Sequence, residues 1–164
     1  MFYFLIEKIH LKNATFLRAT SDLEALTFKK LGFKKKKILN IPNSIKIPEF
    51  KIKLKKNNKR KRLLFLSRLH PKKGLIELLS SWEKIQNKFP DWELMICGFN
   101  ENNYKKTIIN KINDLSLQRV ILKDFVSGKE KEKIYYSSDI FILLSYSENF
   151  GLSIAEALSY KIPV

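Results

Sequence analysis

The second half of the chain alternates between short apolar runs and longer segments with helical spacing. Leu63–Ser67 (LLFLS), Trp92–Cys97 (WELMIC), Val120–Leu122 (VIL) and Ile140–Leu144 (IFILL) each read as a strand, the second closed by Gly98. Gly74–Phe89 has Leu75, Leu78, Leu79, Trp82 and Ile85 on one face, as an amphipathic helix requires. Tyr104–Leu115, Lys129–Tyr136 and Leu152–Ser159 read as further helices, and Lys161–Val164 as the approach to another strand. The strand runs lack the polar alternation of a half-exposed sheet, so both their faces are expected to be buried. Interleaved with helices, they predict an α/β fold: a Rossmann-like parallel sheet with helices on both faces. Ligands of such sheets bind beyond the carboxyl ends of the strands. The loops that matter are therefore those after Ser67, Cys97, Leu122 and Leu144.

The first 60 residues have a different character. TSDLEALTFKKLGF predicts a short helix, with Ser21 and Glu24 as a capping box and Gly32 at its C-terminal stop. ILNIPNSI predicts a strand ending at Pro42-Asn43. KIPEFKIKLKKNNKRK is polar, cationic and broken by a proline, so it reads as a linker. The pattern thus divides the chain into residues 1–60, with the linker at their end, and a sheet domain over 61–164.

Charge adds a constraint on partners. With 32 Lys and Arg against 16 Asp and Glu, the net charge is +16, a field that favours anionic partners such as phosphate-bearing substrates or an anionic membrane surface. Nucleic acid shares that attraction, but no helix-turn-helix, zinc or RNA-recognition pattern accompanies it, so none is expected as a partner. The single cysteine, Cys97, lies inside an apolar run, which excludes a disulfide framework and points to a reducing compartment, the cytoplasm. It is expected to be a small buried hydrophobe. His10 and His70 are far apart in sequence and lack nearby cysteines, so zinc is not expected. The apolar run after Met1 has five residues, too short for a signal peptide core or a membrane span. The chain is expected to attach to a membrane, if at all, at its surface.

Two strand-end loops hold candidate chemistry. After Ser67 comes Arg68-Leu69-His70-Pro71-Lys72-Lys73-Gly74, which puts cations between a strand end and a helix start. Free amides and the positive dipole end suit that position to anions; Arg68 and Lys73 would complete a receptor for a diphosphate. By spacing alone a solvated basic turn is the alternative. After Leu144 comes Ser147-Glu148-Asn149-Phe150-Gly151-Leu152-Ser153-Ile154-Ala155-Glu156, in which seven residues separate two carboxylates. Glu148 falls in the loop, Gly151 permits an unusual backbone angle, and Glu156 lies about one turn inside the helix. Carboxylate oxygens accept hydrogen bonds from diols, so the pair could hold two hydroxylated groups. Two exposed acids at a helix end remain the alternative.

Taken together, LFLSRLHPKKGLIELLSSW, DWELMICGFNE and VILKDFVSGKEKEKIYYSSDIFILLSYSENFGLSIAEALSYKIPV resemble the nucleotide-binding half of the group 1 (family 4) retaining glycosyltransferases of GT-B fold. Arg68, Leu69, Lys73 and Gly74 match that family's R-L-x-x-x-K-G element, and Glu148 with Glu156 its E-x7-E motif. ATFLRATSDLEALTFKKLGF and ILNIPNSI resemble the end of the first domain and the crossover to the second. The resemblance covers about residues 11–164. It implies that Arg68 and Lys73 bind the donor's diphosphate and stabilise the departing nucleotide. Glu148 would contact the donor sugar, and Asn149, Phe150, Gly151 and Leu152 would hold sugar and phosphate through their amides. Glu156 would take the ribose, while the segment around Phe125, Val126 and Ser127 would line the base pocket. No metal cofactor is expected. The donor would be a nucleotide-diphosphate sugar and the acceptor a glycan or a lipid-linked glycan.

The chain departs from the family pattern in places. The crossover usually reads Pro-Asn-Gly followed by Ile or Val and an acid, whereas this chain has Pro42-Asn43-Ser44-Ile45-Lys46, reversing the charge at the last position. Residues 1–60 would be a remnant of the N-terminal acceptor domain plus the linker, and 61–164 a nucleotide-sugar-binding domain incomplete at its C-terminal end. The missing N-terminal half then becomes an expected partner. Two other classes share these features: a non-catalytic basic module of the same fold that binds anionic lipid or polyanion, and a GT-B-type nucleotide-sugar epimerase.

Overall fold

A computed structural model describes residues 2–48 and 59–164, with side chains from residue 7 onward. Most of the expected linker, at 49–58, lies outside the described residues. The chain forms two compact units: Met1–Ser44 with Glu148–Gly151, and Ile45–Ser147 with Leu152–Val164.

The first unit contains helix α1 (Phe2–Asn13), strand β1 (Leu17–Ala19), helix α2 (Asp22–Lys30) and strand β2 (Ile38–Asn40). The two strands pair in parallel, Leu17 beside Ile38 and Ala19 beside Asn40. α2 begins where the capping pattern places it: Ser21 Oγ accepts from the Glu24 amide at 3.2 Å. The reciprocal half differs from a standard capping box. Glu24 Oε2 reaches one residue further back, accepting from the Thr20 amide at 2.7 Å and the Thr20 hydroxyl at 2.8 Å. The strand expected to run to Pro42-Asn43 ends at Asn40, because Arg18 takes over the next carbonyls. Its guanidinium donates to Ile41 O at 3.0 Å, Pro42 O at 3.1 Å and Asn43 Oδ1 at 2.8 Å.

The second unit is the expected α/β layer. β3 (Lys61–Leu66), α3 (Leu75–Ile85), β4 (Trp92–Cys97), α4 (Tyr104–Asp114), β5 (Val120–Lys123), α5 (Gly128–Tyr136), β6 (Ile140–Phe141) and α6 (Leu152–Ser159) follow in sequence. The strands form one parallel sheet in the order β5-β4-β3-β6. Successive side chains of a strand point to opposite faces. Phe65, Leu94 and Ile96 therefore enter a core with Leu75, Leu78, Leu79 and Trp82 of α3 and Ile108 of α4. Leu64, Met95 and Cys97 enter the other core, with Ile134 and Tyr135 of α5 and Ala157 of α6. Both faces are covered, which is why the strands read as continuous apolar runs. Cys97 is fully buried, as expected. Burial pushes its thiol up to about 11.

Ile85 keeps its place on the apolar stripe of α3, lining a groove with Trp82 and Leu63, but as the last residue of the helix it is 36% exposed. One expectation needs correction. The last apolar run, expected as a strand over 140–144, is ladder-paired only at Ile140–Phe141. Ile142 still donates to Leu64 O at 2.8 Å, but the chain then leaves the sheet and Tyr146 N donates to Lys72 O at 3.0 Å. On the outer side of β6, Phe141 N donates to Pro163 O at 2.8 Å, so the terminal residues approach the sheet as the sequence suggested, though without forming a strand.

Candidate functional site

The strand order places a topological switch point in the second unit. From β3 the chain winds outward through β4 to β5, then returns to β3's other side as β6. Loops that diverge from neighbouring strands at such a point leave a crevice beyond their carboxyl ends. The loops concerned are Ser67–Gly74 after β3 and the segment after Phe141.

The β3 loop is built by its sequence. His70 caps a single 3-10 turn at Pro71–Lys73, its Nδ1 accepting from the Lys72 amide at 3.1 Å. Gly74 then takes a left-handed conformation at φ 67° and starts α3. A Cβ there would stand 2.1 Å from the Leu144 carbonyl oxygen, so the glycine lets the two loops close on each other. This packing explains Gly74 without any ligand. A second brace joins the same loops: Tyr146 Oη donates to Glu77 Oε1 at 2.5 Å. That hydroxyl holds the Glu77 carboxyl below its ordinary range, and the Tyr146 phenol is raised in turn.

Arg68 is exposed at the crevice rim, where Nη1 donates to Glu101 Oε2 at 2.9 Å. Lys73 is half-buried at the end of the 3-10 turn. Gly98, at the end of β4, admits a similarly close approach, since a Cβ there would meet the Ser67 carbonyl oxygen at 1.8 Å. The loops after β3, β4 and β6 are thus held against one another by backbone proximity.

Glu156 lies on α6 and is engaged at both oxygens. Oε1 accepts from Lys131 Nζ at 2.6 Å and Oε2 from Tyr135 Oη at 2.9 Å. Lys131 and Tyr135 are one turn apart on α5, and so share a face of it. Burial, then the Glu156 charge, pushes the Tyr135 phenol strongly upward. α5 itself follows the Phe125–Ser127 segment, so the stretch expected to line a base pocket runs directly into the helix that fixes Glu156. Within that stretch Phe125 is 67% exposed, whereas the Val126 side chain is in the core with Met95 and Cys97. Val126 can therefore offer a ligand only its backbone.

The paired carboxylates fall in different units. Glu148–Gly151 is part of the first unit and Glu156 of the second. Asn149 accounts for this: its Nδ2 donates to Thr20 Oγ1 at 3.0 Å, and the Ser21 hydroxyl donates to its Oδ1 at 3.1 Å. Asn149 also bonds Glu24, whose carboxyl lies below its ordinary range, chiefly through the Thr20 amide and then through Asn149. Phe150 is half-buried, and Gly151 has φ 73°, the unusual angle expected of it. Leu152 opens α6 and is 47% exposed. Lys46, the charge-reversed crossover residue, meets Glu132 at 3.5 Å in an exposed pair.

Residues 46–164 match the family described as glycosyl transferases group 1. The chain belongs to this family. An uncharacterised glycosyltransferase of Haemophilus influenzae is 30% identical over 135 residues, 80% of this chain and 36% of that protein. The poly(glycerol-phosphate) alpha-glucosyltransferase of Bacillus subtilis is 29% identical over 153 residues, 93% of this chain and 22% of that protein. Among solved structures, a TarM variant of S. aureus in complex with fondaparinux, alpha-GlcNAc-glycerol and UDP superposes with TM-score 0.79 at 25% identity, covering 96% of this chain and 31% of that one. Anabaena HepE in complex with UDP and glucose shares the fold, with TM-score 0.77 at 21% identity over 92% of this chain and 44% of that one. The chain spans about a third or less of the length of these curated relatives.

Sequence reasoning located the loops of this group 1 domain but missed the side chains that brace them. Glu101 lies in a loop marked for attention after Cys97, and its charge opposite Arg68 was the available signal. Nothing in the sequence linked Glu77 with Tyr146, or Lys131 and Tyr135 with Glu156, because both sets are joined only through tertiary packing. Among the described residues no group of three or more His, Cys, Asp or Glu is arranged to hold a metal, and no helix is long and apolar enough to cross a membrane.

Proposed function

We propose that the protein takes part in transferring a sugar from a nucleotide-diphosphate sugar to a glycan or lipid-linked acceptor, with retention at the anomeric carbon. The observation that carries this reading is the Arg68–Lys73 loop at the carboxyl end of β3, beside the switch point, in a group 1 glycosyltransferase domain. As the bond between sugar and diphosphate breaks, negative charge grows on the leaving oxygen. A guanidinium and an ammonium fixed nearby stabilise that charge more than the ground state, which is the electrostatic component of catalysis. Arg68 exchanges Glu101 for phosphate oxygens, and Lys73 adds a second cation. These two side chains meet the diphosphate charge without a metal. Glu148 contacts the sugar, with the amides of Asn149, Phe150, Gly151 and Leu152. Glu156 takes the ribose hydroxyls on oxygens that now accept from Lys131 and Tyr135. Phe125 and the Val126 backbone border the base. The solved relatives that contain UDP support a nucleotide donor.

Calorimetry with UDP and GDP tests this assignment on the wild type, Arg68→Ala and Glu156→Ala. Each substitution should weaken nucleotide binding by about tenfold or more, the scale of losing a charge-assisted contact. Equal binding by all three proteins, or binding by none, removes the site.

A further inference from the structure

Glu156 is held at both oxygens by donors from one helix. Lys131 Nζ donates to Oε1 at 2.6 Å and Tyr135 Oη to Oε2 at 2.9 Å. The Tyr135 ring is fully buried, stacked on Tyr160 with centroids 4.9 Å apart and planes at 14°, and packed against Phe141. Its hydroxyl cannot follow a moving carboxylate, so the carboxylate must come to it. The Lys131 and Glu156 side chains are 31% and 27% exposed, so the acid is steadied by a partly shielded pair yet still open to a ligand. An ionised carboxylate offers about two acceptor sites on each oxygen. Among the described residues each Glu156 oxygen has one of them filled, which leaves one on each for a hydroxyl. Lys131 lies near the start of α5, just after the Phe125–Ser127 segment, and Glu156 lies about one turn into α6. Both helices begin beyond strand carboxyl ends, the side on which such sheets bind ligands.

We infer that Lys131 and Tyr135 are positioning residues that fix Glu156 for the adjacent 2′- and 3′-hydroxyls of a ribose, and so select a ribonucleoside-diphosphate donor over a 2′-deoxyribonucleoside one. The inference rests on the transferase reading and deepens it, from the place of the ribose to the class of nucleotide. A carboxylate free to turn would accept from either hydroxyl in several orientations and lose little when one is missing. Held at both oxygens, it offers each hydroxyl its own acceptor. A 2′-deoxy sugar then leaves one charged acceptor without its donor, the kind of loss that discriminates most strongly. The same two contacts set the Glu156 side chain before the nucleotide arrives, so less of its freedom is lost on binding. Neither Lys131 nor Tyr135 needs to touch the nucleotide.

The test is calorimetry on the full chain with UDP and GDP, each beside its 2′-deoxy and 3′-deoxy analogues. The readout is the ratio of affinities within one protein, in which any loss of folded fraction cancels. The wild type should prefer the ribonucleotide it binds over either analogue by about tenfold, the scale of one hydrogen bond to a charged group. Lys131→Met keeps the apolar stem and removes the donor. It should cut that preference to about threefold or less, by weakening the ribonucleotide while changing the deoxy analogues by no more than about twofold. Tyr135→Phe removes a hydroxyl and no charge, and should do the same. Lys131→Arg should restore most of the preference. Lys133→Met, an equal loss of charge at an exposed position of the same helix, should leave the wild-type ratio in place. The inference is overturned if the wild type shows no preference, or if Lys131→Met or Tyr135→Phe keeps the wild-type ratio, whether through unchanged binding or through equal loss on every analogue. Binding of neither UDP nor GDP by the wild type would sink the transferase reading, and this inference with it.

Discussion

Gly74→Ala separates a packing role from a ligand role at the start of α3. Two independent costs are expected. An alanine held at φ 67° pays about 1–2 kcal/mol relative to glycine, from Cβ crowding in the left-handed region. Its Cβ would also meet the Leu144 carbonyl oxygen at 2.1 Å, and relieving that overlap requires the backbone after β6 to move. Overpacking of this kind costs about 1–3 kcal/mol, so the total is about 2–5 kcal/mol. Two neighbours divide the effect. Gly128 has φ 52° with nothing within 4 Å of an added Cβ, so Gly128→Ala should show the conformational cost alone. Gly98 is crowded by the Ser67 oxygen at 1.8 Å, so Gly98→Ala should show a steric cost. Both tryptophans, Trp82 and Trp92, belong to the second unit, so their fluorescence in urea follows that unit's unfolding directly. At about 4 °C per kcal/mol, Gly74→Ala should lower its Tm by roughly 8–20 °C. The packing account fails if Gly74→Ala is no less stable than Gly128→Ala. Should it then still lose nucleotide affinity, the glycine would be serving a ligand rather than the Leu144 carbonyl.

Two further outcomes test the fold itself. Arg62 and Glu93 form a largely buried pair at 2.6 Å, their side chains 13% and 14% exposed, and Arg62 Nη1 also donates to the Ser137 hydroxyl at 2.6 Å; Glu93→Ala strands the guanidinium and should cost about 3–5 kcal/mol by urea titration. Cys97 holds its proton more tightly folded than unfolded, since burial raises its pKa from the ordinary value of 9.0 to about 11. Its contribution is therefore complete below about pH 9 and falls away as pH rises from 9 toward 11, at up to about 1.4 kcal/mol per pH unit. Tyr160, raised by burial to about 12, adds to that loss only from about pH 10 upward. Urea titrations between pH 8.5 and 10 should thus show wild-type stability falling while Cys97→Ala stays nearly flat, and equal slopes would refute the assignment.

Much of the fold is legible in the sequence because apolar spacing reports burial directly. The doubly covered strands, the stripe Leu75, Leu78, Leu79 and Trp82, and the Ser21 cap are local patterns with one economical structural solution. The same reasoning overran at Ile140–Leu144. Apolarity says that a segment is buried; it does not say where its amides find partners, and here they pass from β3 to the 3-10 turn after Ile142. At the candidate site the sequence supplied the residue types and their order along the strand-end loops.

The sequence by itself thus determined the helices and most of the strands of residues 61–164, that their sheet is parallel, and which strand-end loops carry Arg68, Lys73 and Glu148, with Glu156 on the helix that follows; it did not announce α1 or β1. Only the tertiary structure decided who touches whom. It set the sheet order that puts β6 beside β3, the closure of Gly74 on Leu144, and the grip of Lys131 and Tyr135 on Glu156. It also assigned Glu148–Gly151 to the first unit through Asn149 and its partners Thr20 and Ser21, more than a hundred residues away in the chain. The physical reason is range. Helix and strand preferences act over a few residues, whereas a hydrogen bond or a backbone contact depends on distance in space, which the folded chain alone fixes.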